Sequence, residues 1–161
     1  MSFVIRVYTP AYMLIGQSES TNAFLGWLNN PNKQTLDLFE VQGLSLEPDA
    51  TLVNFSQPMI TLPKRQIEGI DLVSVKAQES VQMSTRAELS VLYTQRFVIQ
   101  AYMHPSGDMS ISNIFNVVGG DFFPVSDARL YPVIPTRQLP TDRSRVLIIN
   151  KLVVNFYHLR T

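Results

Sequence analysis

Few residues in this chain of 161 are of types that carry out chemistry: it has two histidines and no cysteine. A base, a nucleophile and an acid crowd together in His104-Pro105-Ser106-Gly107-Asp108. A Ser-His-Asp relay needs convergent side chains, normally delivered by distant segments, so this stretch reads as a turn built on its Pro and Gly. As a metal site, His104 and Asp108 supply two ligands where three or four are needed. Gly119-Gly120-Asp121 lacks the Lys-Ser/Thr ending of a phosphate-cradling loop and reads as a turn into the next strand. Asp71, Asp121 and Asp127 show no spacing that pairs two carboxylates for acid–base work, and aspartates so placed serve as turn caps or solvated side chains. Without cysteine there is no thiol catalysis, zinc ribbon or disulfide framework. The chain therefore reads as non-catalytic, with no metal or cofactor expected.

Binding chemistry is more plausible. The 13 basic and 13 acidic residues cancel, and the charged fraction of 16% falls below the usual ~25%. Weak self-repulsion of this kind favours association. Residues 1–80 hold 5 basic and 8 acidic side chains, and residues 81–161 hold 8 and 5. The halves thus carry −3 and +3. Arg137, Arg143, Arg145 and Lys151 make a candidate anion site, with Arg129 and Tyr131 near them in sequence. The zero overall charge argues against nucleic acid as the partner. A different use of the same charges is docking of one chain's acidic half on another's basic half. Phe24, Leu25, Trp27 and Leu28 form the second candidate, an apolar helix face with a Trp of the kind favoured at interface centres. The competing reading is that this short helix plugs a core.

The elements that must position these residues come in two similar sets. Val7-Tyr8-Thr9 returns as Leu92-Tyr93-Thr94, and Tyr12 and Leu14 return as Phe97 and Ile99, 85 residues on. Phe24, Leu28 and Asn29 match Ile111, Phe115 and Asn116 at 87, and Phe39-Glu40-Val41 matches Phe123-Pro124-Val125 at 84. Ile60, Leu62, Lys64, Ile67 and Leu72 match Leu147, Ile149, Lys151, Val154 and Leu159, again at 87. The shifts fall in polar or Pro/Gly-bearing segments, where extra residues cost little. Each set reads as strands over 3–9 and 11–16 and a helix over 21–29, for which Ser20 or Thr21 is placed as cap. A strand follows over 35–46, with a bulge near Gly43. Last comes a strand pair, 58–62 with 65–72, turning at Pro63-Lys64; its counterpart turns at Asn150-Lys151.

The stretch Met59-Ile60-Thr61-Leu62-Pro63-Lys64-Arg65-Gln66-Ile67-Glu68-Gly69-Ile70 resembles the second sequence motif of Sm-like barrels, and Val146 to Phe156 is similar. The resemblance covers about a dozen residues per set. It implies small barrels that assemble into rings through edge strands. The family's Arg-Gly at the turn, tied there to RNA contact, is replaced by Pro63-Lys64 and Asn150-Lys151, so RNA binding does not carry over.

The expected fold is mainly β: two tandem, pseudo-symmetric small barrels of about five strands, each with one short α-helix. The first spans 1–73 and the second 88–161, with 74–87 as a connecting strand or linker. No apolar run approaches the roughly 18 residues of a membrane helix, and no secretory signal pattern is visible, so a cytoplasmic location is expected. The expected function is an assembly or interaction module that associates with itself or with another protein. An anion- or nucleic-acid-binding module built on the basic second half is the alternative.

Overall fold

A computed structural model describes residues 2–19, 21, 23–116 and 120–160. Ser20 and Gly119, singled out above, lie outside them. The chain opens with β1 (Ser2–Tyr8) and β2 (Tyr12–Glu19), followed by α1 (Phe24–Leu28), β3 (Thr35–Ser45) and β4 (Asn54–Pro63). A 3-10 turn (Lys64–Gln66) leads into β5 (Gly69–Leu72). After α2 (Val75–Glu79) the same succession returns as β6 (Glu88–Tyr93), β7 (Phe97–Met103), α3 (Ile111–Asn116), β8 (Phe122–Pro132), β9 (Arg143–Asn150), a 3-10 turn (Lys151–Val153) and β10 (Phe156–Leu159).

The fold is mainly β, and all ten strands belong to one antiparallel sheet in the order β10-β6-β7-β8-β9-β5-β1-β2-β3-β4. The sheet is open, so the tandem barrels expected from the sequence are not present as closed units. Closing the first half would require β4 against β5, but the free side of β5 is taken by β9. The strand pairs expected to turn at Pro63-Lys64 and Asn150-Lys151 do not form either. The 3-10 turns send β5 back to β1, and β10 back to β6, on the far side of each half. Nor is 74–87 a connecting strand. Ser74 Oγ accepts from Ala77 N–H and starts α2, whose Ala77 is fully buried in the first core.

The bulge in β3 is at Glu40, not Gly43. The β2–β3 register slips between Ile15 and Gln17, and Glu40 takes φ 50°. Asp127 in β8 does the same at φ 48°, where the β7–β8 register slips between Gln100 and Tyr102. The two bulged residues are 87 apart, so the offset of 84 read across β3 is corrected: beyond the bulge Val41 opposite Gln57 corresponds to Ala128 opposite Ser144. Gly43 serves packing instead. A Cβ there would meet the Phe55 ring at 2.2 Å, so the ring fills the space that the missing side chain leaves.

Two apolar cores lie on opposite sides of β9. Val146 and Ile148 enter the first, among Phe3, Ile5, Phe24, Leu36 and Ile70. Leu147 and Ile149 enter the second, among Phe97, Ile99, Ile114 and Leu130. Burying each such side chain contributes roughly 2 kcal/mol. A strand covered on both faces needs an unbroken apolar run, and Val146-Leu147-Ile148-Ile149 supplies it. The matching strand β4 ends the sheet and reads Met59-Ile60-Thr61-Leu62, apolar toward its own core and mixed on the other side. Among the described residues no helix is long and apolar enough to cross a membrane.

This double burial sets an expected contrast in urea denaturation. Ile148→Ala lowers stability by about 3 kcal/mol, whereas Thr61→Ala at the matching edge position stays within about 0.5 kcal/mol. Equal losses at the two positions would contradict the account of β9.

Candidate functional site

The halves meet where β5 lies along β9, with Gly69 opposite Ile149, Ile70 opposite Ile148 and Asp71 opposite Leu147. Asn150 ends this seam with two bonds across it: its backbone N–H donates to the Glu68 carbonyl at 3.0 Å and its Nδ2 to the Ile67 carbonyl at 2.9 Å. Its Oδ1 accepts from Leu152 N–H and caps the following 3-10 turn. Beside it, buried Asp71 accepts from Ser144 Oγ and from Arg6 Nη1 at 2.8 Å. Burial pushes the Asp71 carboxyl up, against the opposing pull of Ser144 and Arg6. Burial likewise pushes the Tyr8 hydroxyl up to about 12.

Further polar contacts fasten the halves together. Arg96 donates to the Pro10 carbonyl at 3.2 Å and to the Glu47 carboxylate. Arg137 donates to the carbonyls of Ser45, Glu47 and Pro48 at 3.1–3.2 Å. Asn29, just after α1, gives and takes a hydrogen bond with the Phe122 backbone, both at 2.9 Å. Gly120 makes room for that contact. It holds φ 94°, and a Cβ there would lie 2.4 Å from the Asn29 side chain. This places the Gly120-Asp121 motif in the seam rather than around a phosphate.

The residues expected to bind do not converge. Phe24 and Leu28 are buried in the first core, and Leu25 packs against it half-buried. Trp27 stacks on Phe24 at 5.7 Å, and the Lys33 and Lys64 ammonium groups lie 5.4 and 5.5 Å from its centroid. Burial, with the neighbouring Lys33 charge, pushes Lys64 below the ordinary lysine value. In the anion set, Arg137 is occupied in the seam, Arg143 and Arg145 are exposed on β9, and Lys151 is half-buried in the 3-10 turn. His104 is bonded to the Ser84 and Arg86 carbonyls and to Ser126 Oγ, not to Ser106 or Asp108. A cavity of about 230 Å³ opens at one end of the seam, lined by Asn29, Lys33, Lys64, Arg65, Asp121 and Asn150. It offers amide and ammonium donors but no nucleophile–base pair. No three or more His, Asp or Glu among the described residues are grouped to hold a metal.

Sequence reasoning missed what the sheet leaves uncovered. In the first half, Tyr8, Met13, Leu44 and Leu46 pack against the second core. Their counterparts in the second half are Tyr93, Val98, Tyr131 and Val133; the first two are half-buried, while Tyr131 is 44% and Val133 52% exposed. Phe156 on β10 is 61% exposed and stacks on Tyr93 at 4.4 Å. At the other end of the sheet Met59 and Phe39 stand open on β4 and β3, 47% and 44% exposed. On the uncovered face of the second half Arg143, Arg129 and Gln100 are cross-strand neighbours, and Arg160 donates to Gln100 at 2.7 Å. The signal was present in the contrast between the apolar run of β9 and the mixed β4, but it needed the strand order to be read. Comparison with family models, with curated proteins and with solved structures finds no match for this chain.

The ion pair of Arg6 on β1 with Asp71 on β5, beside the seam, has a measurable pH signature. A carboxyl whose folded value is raised gives its full contribution to stability below its unfolded value of about 3.9 and loses it as pH rises through the folded value. Arg6→Gln removes the partner of the ionised form and is expected to cost about 3 kcal/mol at pH 7. The cost shrinks toward pH 4, as Asp71 takes up a proton, and adding Asp71→Asn recovers most of it. Urea denaturation at the two pH values checks this; a cost independent of pH would contradict it.

Proposed function

We propose that this protein is a non-catalytic assembly module that associates with further copies of itself, head to tail, through the two ends of its sheet. The observation that carries this reading is the seam itself. The fold already joins a β4-type strand (β9) to a β5-type strand (β5) and leaves one of each free, β4 at one end and β10 at the other. Two units, 1–73 and 88–161, arise in this reading by doubling of one small open barrel, with 74–87 between them. The Sm-like resemblance, which implies assembly through edge strands, points the same way.

Repeating the seam between copies sets a register. Ile148 opposite Ile70 becomes Thr61 opposite Tyr157, and Ile149 opposite Gly69 becomes Leu62 opposite Phe156. Tyr93, Val98, Tyr131 and Val133 of one copy then face the first half of the next, as Tyr8, Met13, Leu44 and Leu46 face the second half within the chain. The contact brings the −3 half to the +3 half, which speeds and orients docking.

Because the chain has no cysteine, an engineered pair reads this register cleanly. The doubly substituted Thr61→Cys/Tyr157→Cys chain, oxidised in dilute solution, should give a ladder of covalent oligomers, since directly opposed strand residues lie within disulfide reach. Thr61→Cys/His158→Cys, one residue out of register, should give far less. Light scattering of the wild type should show multimers that loosen as salt rises, because exposed charges are screened beyond about 8 Å at physiological ionic strength. A salt-independent monomer would defeat the proposal.

A second reading is an anion- or nucleic-acid-binding module, favoured by the interleaving of Arg129, Arg143 and Arg160 with Tyr93, Tyr131 and Phe156 on one exposed sheet face. Such faces bind single strands by stacking and by backbone charge. Replacing the three arginines with Ala should abolish retention on heparin or single-stranded RNA; a wild-type chain that is never retained removes this reading.

A further inference from the structure

We infer that Pro63 keeps the junction between copies weaker than the seam inside the chain, so that copies exchange while the two halves of one chain stay joined. This rests on the head-to-tail reading and concerns how tightly that same contact holds. Pro63 and Asn150 occupy matching places: each ends its strand and precedes a 3-10 turn, with φ −60° and ψ 127° at Pro63 and φ −77° and ψ 115° at Asn150. The backbone is thus the same and only the side chain and the N–H differ. Asn150 spends that N–H and its Nδ2 on the Glu68 and Ile67 carbonyls across the seam. Proline has no N–H and no amide, so Pro63 offers nothing to the corresponding carbonyls, those of Asn155 and Val154 in a neighbouring copy.

Asn29 keeps its type at the matching Asn116, but several other fastenings of the seam change at the corresponding places. The seam's Arg96 and Arg137 correspond to Ala11 and Ala50, Ser144 to Gln57, and Glu47 to Ile134. What remains for a copy-to-copy contact is strand pairing, Asn116 in the place of Asn29, and apolar burial by Met59, Phe156 and Leu159, which stand exposed in the isolated chain. Proline on an edge strand is also a common means of restraining edge-to-edge pairing. Of these differences, Pro63 lies on the edge strand, in a backbone already shaped for the residue that its counterpart carries, and alone removes a backbone donor.

Sedimentation velocity over a range of concentrations, on the full chain and on Pro63→Asn and Pro63→Ala, tests the inference. Pro63→Asn restores two neutral hydrogen bonds and should tighten association about tenfold. Pro63→Ala restores only the N–H and should fall between it and the wild type. The exposed position makes misfolding an unsuitable explanation for either result, and circular dichroism checks that both variants keep the fold. If the wild type associates and Pro63→Asn leaves its affinity unchanged, the inference is overturned while the assembly reading stands. If the wild type remains monomeric at every concentration, the assembly reading is overturned and this inference with it, whatever the variants do.

Discussion

A β-strand satisfies its backbone only when both of its edges are paired, and it hides its side chains only when both of its faces are covered. In this chain β9 meets both conditions at once, and much of the architecture follows from that. With β8 on one edge and β5 on the other, β9 turns two five-stranded halves into one ten-stranded sheet. With a core on each face, it makes each half a lid for the other. Neither half is covered without its neighbour: Phe122, Val146 and Ile148 complete the first core, and Tyr8, Met13 and Leu46 complete the second.

Apolar burial alone would let the halves slide, because a seam of alternating aliphatic residues tolerates neighbouring registers. The polar groups fix the register. Asn150 matches two particular carbonyls, Ser144 meets Asp71, and Arg96 and Arg137 each reach carbonyls on the first half. Buried polar groups of this kind add little net stability when fully matched, but they make every mismatch costly. Arg6 Nε, buried without a partner, shows the local cost of fitting a guanidinium beside Asp71 within the first half.

The repeated pattern was legible because it lives in local chemistry: the Val7-Tyr8-Thr9 turn entry, the apolar helix pair at residues 24 and 28, and the Lys after each β4-type strand. In both turns the Thr hydroxyl bonds the carbonyl three residues on, in Thr9 to Tyr12 and in Thr94 to Phe97. The shape of the sheet was not legible. A bulge at Glu40 has no residue signature, and Asp127, though of a type enriched at positive φ, is in sequence no different from a turn or surface aspartate. Adjacent apolar segments joined by a short turn look like a hairpin, and only the 3-10 geometry at Lys64 and Lys151 sends them apart. The candidate site was missed for a related reason. Residue type singled out Trp27 and the arginines, yet Trp27 stacks within the first half and Arg137 is spent in the seam. An uncovered edge is a property of strand order, which composition does not encode.

Strand order also decides which symmetry an assembly of copies would take. A two-fold dimer pairs like with like, β4 with β4 or β10 with β10, and would bring two acidic halves or two basic halves together. The seam provides a template for neither pairing. It does provide one for β4 against β10, which joins −3 to +3 and leaves a fresh β4 and a fresh β10 at the ends of every complex. Such a contact stops growing only by closing into a ring, and the twist at each seam decides whether it closes. A protein built this way has reason to hold its internal seam with Asn150, Arg96 and Arg137 and to leave the matching places on its outer edge as Pro63, Ala11 and Ala50. Growth through a contact as strong as the internal one would be irreversible, and errors of closure could not be undone. Weak outer contacts would let copies leave and re-enter until a ring closed.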